Sequence, residues 1–349
     1  HKSLPPLGLG LLLVSSALAA DPSPASAVPV ATVRVALIRD VDSMEKTIQS
    51  VFISKYEGNI RVIRTANKKF TAINTLGVED YLKGVIGREM SPGCPIEALK
   101  AQAVAARSHA LHSAEDSLDA PYDLVANISQ AYRGVDERTR RLLQAVDATR
   151  NEVITYKGAL VPTFFHASCG GHTASIQEVW NQVIQKDAHP SPMPPSVYCP
   201  ACAATAHSQW EADLTHSAFT RKMKSWGSKI GDLVRVEVMG RTESGRVSQV
   251  RLIGTRGDEV MMLEKLRSLI GYNVLKSGFF EVEKTSAGIL FKGEGWGHGV
   301  GLCQFGAQRM AERGATYKEI LAHYFPGSKI ASYKPSDGFV ALQKSRMRG

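Results

Sequence analysis

Apolar and polar residues alternate through Ala31–Leu37, and again in Ile60–Ile63 and Phe70–Ile73, a period of two that predicts strands and a β-layer at the start of the fold. The period then changes. Across Val78–Met90 the apolar positions Val78, Tyr81, Leu82, Val85 and Ile86 recur at intervals of three and four, which predicts an amphipathic helix. A second helix is predicted from Pro95 to about Glu115, beyond the breaker Ser91-Pro92-Gly93. Val153–Ser168 returns to β-type sequence, whereas Gln185–Pro200, with Pro190, Pro192, Pro194, Pro195 and Pro200, predicts an irregular loop. Leu233–Met239 and Val247–Ile253 predict a hairpin about the turn Thr242–Gly245. The glycine-rich run Gly293–Gly301 leads into a helix ending near Gly314, and Thr316 with Glu319 forms a capping box for a last helix that stops at Pro326-Gly327. Strands and helices come in blocks, which predicts an α+β fold: a mixed β-sheet region, a helical layer and a glycine-rich loop-helix near the C-terminus. Residues 210–292 are expected to form a β-rich lobe within it.

The stripe on the first helix does not end in an apolar residue. Its next two positions are Glu89 and Met90, so Glu89 continues the buried face. A carboxyl there is desolvated, which raises its pKa and suits it to general acid chemistry near neutral pH; a last-turn Glu rotated to solvent or paired with a buried Arg is the plainer outcome. Glu79 and Asp80 sit in the first turn, where acids complement the helix dipole. The second helix is rich in alanine and carries Gln102 and Arg107 among small residues. Lys100 and Arg107 share a face, either a solvated stripe or a clamp for an anionic or polyhydroxyl substrate. In Gly295-Trp296-Gly297-His298-Gly299-Val300-Gly301, glycines allow close backbone approach to a ligand. His298 and the neighbouring Gln304 would orient sugar hydroxyls or acetamido groups, or His298 is a structural hydrogen-bonder of a tight loop.

Composition narrows the class. Of 349 residues, 44% are hydrophobic and 21% charged, which excludes a disordered or coiled-coil chain, and the net charge of +9 favours anionic polymers as partners. Lys2 precedes the apolar stretch Leu7–Leu18, and Ala17-Leu18-Ala19 supplies a small-x-small cleavage pattern, so residues 1–19 are predicted to be a secretory signal peptide cut near Ala19. The stretch is shorter than the roughly 20 residues of a membrane span. A Pro/Ser/Ala linker over 20–29, a domain over 30–335 and a basic tail over 336–349 complete the expected organisation. An exported protein in the periplasm or cell envelope meets wall polymer rather than nucleic acid.

Five cysteines cannot all pair within one chain. Cys169 and His172, in His166-Ala-Ser-Cys169-Gly-Gly-His172, together with Cys199-Pro-Ala-Cys202, make a Cys₃His set suited to tetrahedral zinc, with His166 as the alternative fourth ligand and His207 as a third choice. Four protein ligands close the site to water, so the zinc would be structural. A Cys199–Cys202 disulfide with Cys169 free is the competing reading. A Cys169 nucleophile lacks an evident orienting group. Cys94 follows Glu89 by five residues and Cys303 follows His298 by five, so the two thiols are expected near each other if these blocks share a site.

Two long segments, VEDYLKGVIGREMSPGCPIEALKAQAVAARSHA and GEGWGHGVGLCQFGAQRMAERGATYKEILAHYFPG, resemble the family of stage II sporulation protein D (SpoIID) and amidase enhancers. The resemblance runs from about Val30 to Tyr333. It implies an exported peptidoglycan-remodelling enzyme, a lytic transglycosylase that cleaves glycan strands between N-acetylmuramic acid and N-acetylglucosamine, strands stripped of stem peptides included, to leave 1,6-anhydro ends. It places the catalytic acid in the GVIGREM block, at Glu89, and carries Gln102 and Arg107 over as site residues from AQAVAAR. Gln130 and Tyr132, in SQAYRG, are matched as groove-lining residues. The alternative within the family is a non-catalytic glycan-binding protein or an enhancer that partners a wall amidase. A zinc-dependent wall hydrolase is third, since no HExxH motif is present.

Overall fold

The computed structural model describes residues 31–46, 56–126, 130–132, 140–180, 194–202 and 208–346. The predicted signal peptide, the linker and the last residues of the basic tail lie outside these. Among the described residues, no helix is long and apolar enough to cross a membrane.

The chain opens with β1 (Thr32–Val41), β2 (Asn59–Arg64) and β3 (Phe70–Gly77), as the alternation predicts. They form a sheet of order β2-β3-β1-β4, antiparallel except where β4 (Leu124–Val125) joins β1 in parallel. Helix α1 (Val78–Glu89) begins at the next residue after β3. With Gly77 in the N-cap position there is no side chain to cap it, and the Val78 amide donates instead to the Ala31 carbonyl, 2.9 Å away just before β1. Sheet and helix are thereby joined without a loop.

Helix α2 (Ile96–Asp116) is the centre of the molecule. Ala98, Ala101, Ala103, Ala105, Ala106, Ala110 and Ala114 are all fully buried, because side chains this small let α1, α3 (Arg140–Ala148) and the C-terminal helices approach its backbone closely. Its polar groups are satisfied by neighbours: Thr163 Oγ1 donates to the Ala105 carbonyl at 2.7 Å, and the Ile154 amide donates to Ser108 Oγ at 2.8 Å. Around α2 lie β5 (Glu152–Tyr156), β6 (Ala159–Leu160), and β7 (Phe165–His166), then α4 (Ile176–Trp180).

A second core is separate from the first. Trp210, Phe219, Val250, Leu266, Phe280 and Phe291 cluster between two three-stranded antiparallel sheets and two helices. The elements are β8 (Gln209–Thr215), α5 (His216–Trp226), β9 (Leu233–Arg241), β10 (Val247–Gly254), β11 (Gly257–Met262), α6 (Leu263–Ile270), β12 (Phe279–Lys284) and β13 (Gly288–Glu294). The hairpin read from the sequence is β9–β10. The chain then returns to the first core through β14 (Leu302–Cys303), α7 (Gln304–Glu312), α8 (Tyr317–Tyr324) and β15 (Lys329–Ser332). The Thr316–Glu319 capping box forms.

Arg107 is neither on a solvated stripe nor in a clamp. It is wholly buried, and its Nε and Nη2 donate to the two carboxylate oxygens of Glu79 at 2.9 and 2.7 Å, while Nη1 and Nη2 also reach the carbonyls of Glu152 and Val146. Lys100 pairs separately with Glu97 at 2.7 Å. The assignment of Arg107 as a substrate contact is therefore corrected: its buried guanidinium makes four hydrogen bonds within the core, and it ties α1 and α2 to the end of α3 and to β5. Glu79 is the anchor at the other side of that knot, and it also accepts from the Asn151 amide at 3.1 Å. Removing one partner of such a pair strands the other in low dielectric, so Arg107→Met is expected to lower the unfolding free energy by about 3–5 kcal/mol, whereas Arg107→Met combined with Glu79→Leu should recover much of that loss. Urea denaturation checks this; a single variant as stable as the parent would contradict it.

Candidate functional site

Glu89 is the last residue of α1, and its side chain is partly enclosed between the buried Ile86 and Met90 and the turn at Ala131. One oxygen accepts from the Ala131 amide at 2.7 Å and the other from Gln304 Nε2 at 3.3 Å. Gln304 is the first residue of α7, and the same Nε2 lies 3.3 Å from Gln102 Oε1 on the fully buried face of α2. Three distant segments thus converge on one carboxyl. Burial raises the Glu89 pKa, and the Ala131 and Gln304 donors partly offset the rise by favouring the carboxylate. Among the described residues, no second carboxylate is hydrogen-bonded to it.

The other predicted groove residues divide. Gln102 and Gln304 do come together at Glu89. Gln130 and Tyr132 do not present their side chains to a groove: Gln130 is buried and donates to the Ala106 carbonyl at 3.0 Å, and Tyr132 is buried against Tyr56 and Tyr81 with its hydroxyl accepting from Asn74 at 2.9 Å. Their turn contributes through the backbone, because anchoring the residues on either side aims the Ala131 N–H at Glu89. A main-chain donor carries no side-chain signature, so the sequence could not single it out. His298 is placed elsewhere. Its Nδ1 accepts from the Val300 amide at 3.0 Å, and its ring packs beside Trp180 and His166 with centroids 4.9 and 5.6 Å away; burial holds its pKa well below the ordinary imidazole value.

A sulfur centre lies beneath this region. Cys169, Cys199, Cys202 and Cys303 are all buried, and their thiols are near enough to perturb one another's ionisation. β7 and β14 run parallel with His166 opposite Cys303, and donor atoms of His166, Cys169 and Cys303 all lie within 4.8 Å of one another. That buried group could hold a metal. Polar groups surround the sulfurs: the amides of Gly171, Cys169 and Gly306 donate to Cys169 and Cys303 at 3.3–3.4 Å, and the Tyr324 hydroxyl is 3.1 Å from Cys199. The neighbouring thiols draw the Cys199 and Cys202 pKa values down and push Cys169 up, while burial first and the other thiols second push Cys303 up. His166 Nδ1 faces the Val300 carbonyl at 3.1 Å and must donate to it, which leaves Nε2 as the lone-pair nitrogen; burial lowers its pKa to about 3, so the ring is neutral.

The expected ligand His172 is not part of this centre. It forms an antiparallel bridge with Tyr198, and across such a bridge paired residues project to the same side while their neighbours alternate, so His172 goes with Tyr198 and Cys199 turns to the other face. Its Nδ1 sits 2.7 Å from Ser196 Oγ instead. Cys303 lies instead with His166 and Cys169, and it is not bridged to Cys94, whose thiol lies 3.6 Å from Gln308 on α7. All five cysteines are unbridged, Cys199 and Cys202 included. The odd cysteine count held the clue to Cys303: four thiols suffice for a centre and one is left over.

Residues 66–156, which include Glu89 and the whole of α2, match the family described as Stage II sporulation protein, and residues 203–301, essentially the second lobe, match a domain of unknown function. An uncharacterized protein of Brachyspira hyodysenteriae is 33% identical over 281 residues, 80% of this chain and 73% of that one. The amidase enhancer of Bacillus subtilis is 29% identical over 296 residues, 72% of this chain but 40% of the enhancer's length, and stage II sporulation protein D of the same organism is 26% identical over 290 residues, 78% of this chain and 79% of that protein. With its α+β architecture and with a helical layer centred on the Glu89 region, the chain belongs to the SpoIID family, a family associated with cell-wall remodelling.

Proposed function

We propose that this protein is an exported peptidoglycan lytic transglycosylase with Glu89 as its acid and base. The observation that carries the reading is a single enclosed carboxyl, with a raised pKa, held by an amide and a glutamine and joined to no second carboxylate among the described residues. An ordinary glycosidase needs two carboxyl groups, one as acid and one to activate water or attack the sugar. Intramolecular attack needs one. Glu89 donates its proton to the bridging oxygen as the bond to muramic C1 breaks, and the carboxylate so formed takes the proton of the muramic 6-hydroxyl as its oxygen closes onto C1. The acid is restored, no water is consumed, and the products are a 1,6-anhydro end and a free N-acetylglucosamine 4-hydroxyl. The Ala131 amide and Gln304 hold the carboxyl in place through both steps and stabilise its charged form.

We further propose that the sulfur centre is a structural zinc site of Cys169, Cys199, Cys202 and Cys303, with His166 at its edge. The donor set fits zinc, which takes four thiolates tetrahedrally and leaves no open position for chemistry. Bound there, zinc would supply cross-linking alone, fastening the 194–202 segment to β7 and β14.

Digesting purified glycan strands and weighing the products tests the enzymatic reading. Glu89→Gln, nearly isosteric, is expected to keep the fold and lower anhydro-product formation about 100- to 10 000-fold; near-normal production by the folded variant would move the acid elsewhere, and a parent protein that yields only reducing ends would replace the mechanism by hydrolysis. Because Glu89 must start protonated, turnover should fall as pH rises through its raised pKa. Gln304→Leu removes a donor to the carboxylate and should shift that alkaline limb to higher pH, read from the pH profile of kcat. For the metal, protein purified without added zinc should contain about one equivalent; Cys303→Ser should lose it and His172→Ala retain it, and the reverse pattern would restore the Cys₃His set.

A further inference from the structure

A cavity of ≈ 500 Å³ lies between the second lobe and α4, away from the groups that hold Glu89. Trp180, Trp226 and Met262 give it apolar walls, and His298 lines it as well. Of the charged side chains that line it, Arg246 and Glu178 keep polar atoms without a partner among the described residues. Arg246 is 3% exposed; its Nη2 donates to the Cys169 carbonyl at 2.8 Å, while Nε and Nη1 have no hydrogen-bond partner. Both carboxylate oxygens of Glu178 are buried and without a hydrogen-bond partner as well. The two charges act on each other, yet no ion pair joins them.

An uncompensated buried charge is among the more expensive features a protein can keep. The thiolates near Arg246 explain part of its placement, since they favour its charged form. They do not explain Glu178, which a negative sulfur centre would repel. A group of the opposite pattern satisfies both: a carboxylate for the guanidinium, which binds it through paired N–H donors, and an ammonium for the glutamate.

We propose that this cavity binds a zwitterionic α-amino-acid group, its carboxylate on Arg246 and its ammonium on Glu178, with the attached carbon chain against Trp180, Trp226 and Met262. In wall polymer, ammonium and carboxylate share one carbon at the free end of a diamino acid in a stem peptide, so the cavity would recognise peptide-bearing wall material at a place separate from the glycan-cleaving carboxyl. The choice of carrier rests on the wall reading above. The binding itself does not, because it is measured as occupancy rather than turnover.

The test is titration of the full chain, followed by tryptophan fluorescence and calorimetry, with three probes: meso-diaminopimelate, the same compound acetylated on both amines, and chitotetraose as a neutral glycan. Saturable binding of diaminopimelate, with the acetylated form at least about tenfold weaker, is the expected result, that ratio being the loss of one charge-assisted contact. Arg246 also holds the Cys169 carbonyl, so the decisive variant is Glu178→Gln, which should weaken diaminopimelate at least about tenfold with a melting temperature no lower than the parent's and an unchanged metal content. Absence of saturation up to about 10 mM, equal binding of the acetylated probe, or indifference to Glu178→Gln would each overturn the proposal. Chitotetraose binding that Glu178→Gln weakens would reassign the cavity to glycan and overturn it too. Anhydro-product formation is a separate measurement, so either reading can fail alone.

Discussion

The arrangement depends on how closely α1 can lie on α2. Alanine at seven buried positions of α2 removes the side-chain thickness that normally separates helices, and the α1–α2 pair then places carboxylate and guanidinium of Glu79 and Arg107 in direct, doubly hydrogen-bonded contact. That contact fixes the rotation of α1 as well as its distance. A helix turns 100° per residue, so a pin at Glu79 decides which way Glu89, ten residues and about 15 Å further on, must face. The site carboxyl is thus oriented from the opposite end of its helix, by a pair that touches no part of the site.

The second end of the problem is the position of Gln304. It begins α7 immediately after Cys303, and Cys303 is held in register with His166 and within the sulfur centre. The amides of Cys169 and Gly306 both donate to the Cys303 sulfur, so the turn into α7 is organised about that atom. Gly306 allows this because a side chain there would meet the Tyr324 hydroxyl and the Cys199 sulfur. Whatever stabilises the sulfur centre therefore also sets the distance from Gln304 to Glu89, one residue away along the chain and across the interface from α1.

Periodicity made the first sheet, α1, α2, the β9–β10 hairpin and the capped last helix legible, since each has a repeating apolar pattern or a local end signal. Glu89 was legible for the same reason: it interrupts a stripe. What was not legible is which polar residues meet. Arg107 on an alanine-rich helix reads identically as a clamp or a core anchor, and the difference lies in Glu79, 28 residues earlier, whose first-turn position has a sufficient local explanation of its own. His172 has the spacing of a ligand and Cys303, far along the chain, does not; the strand-like alternation of a bridge and the pairing of β7 with β14, both tertiary facts, turn one away and bring the other in.

The same division explains why the molecule separates its charged groups. Near Glu89 the partners are neutral, an amide N–H and Gln304, itself bonded to Gln102, which leaves the carboxyl free to change its protonation state at modest cost. An arginine in that place would hold it ionised. The cationic groups are sequestered instead, Arg107 in the core pair with Glu79 and Arg246 beside the sulfur centre. In the proposed reaction a sole acid and base spends part of each cycle neutral and part charged, which requires neighbours that tolerate both states; the neutral donors around Glu89 meet that condition, and the buried arginines would not.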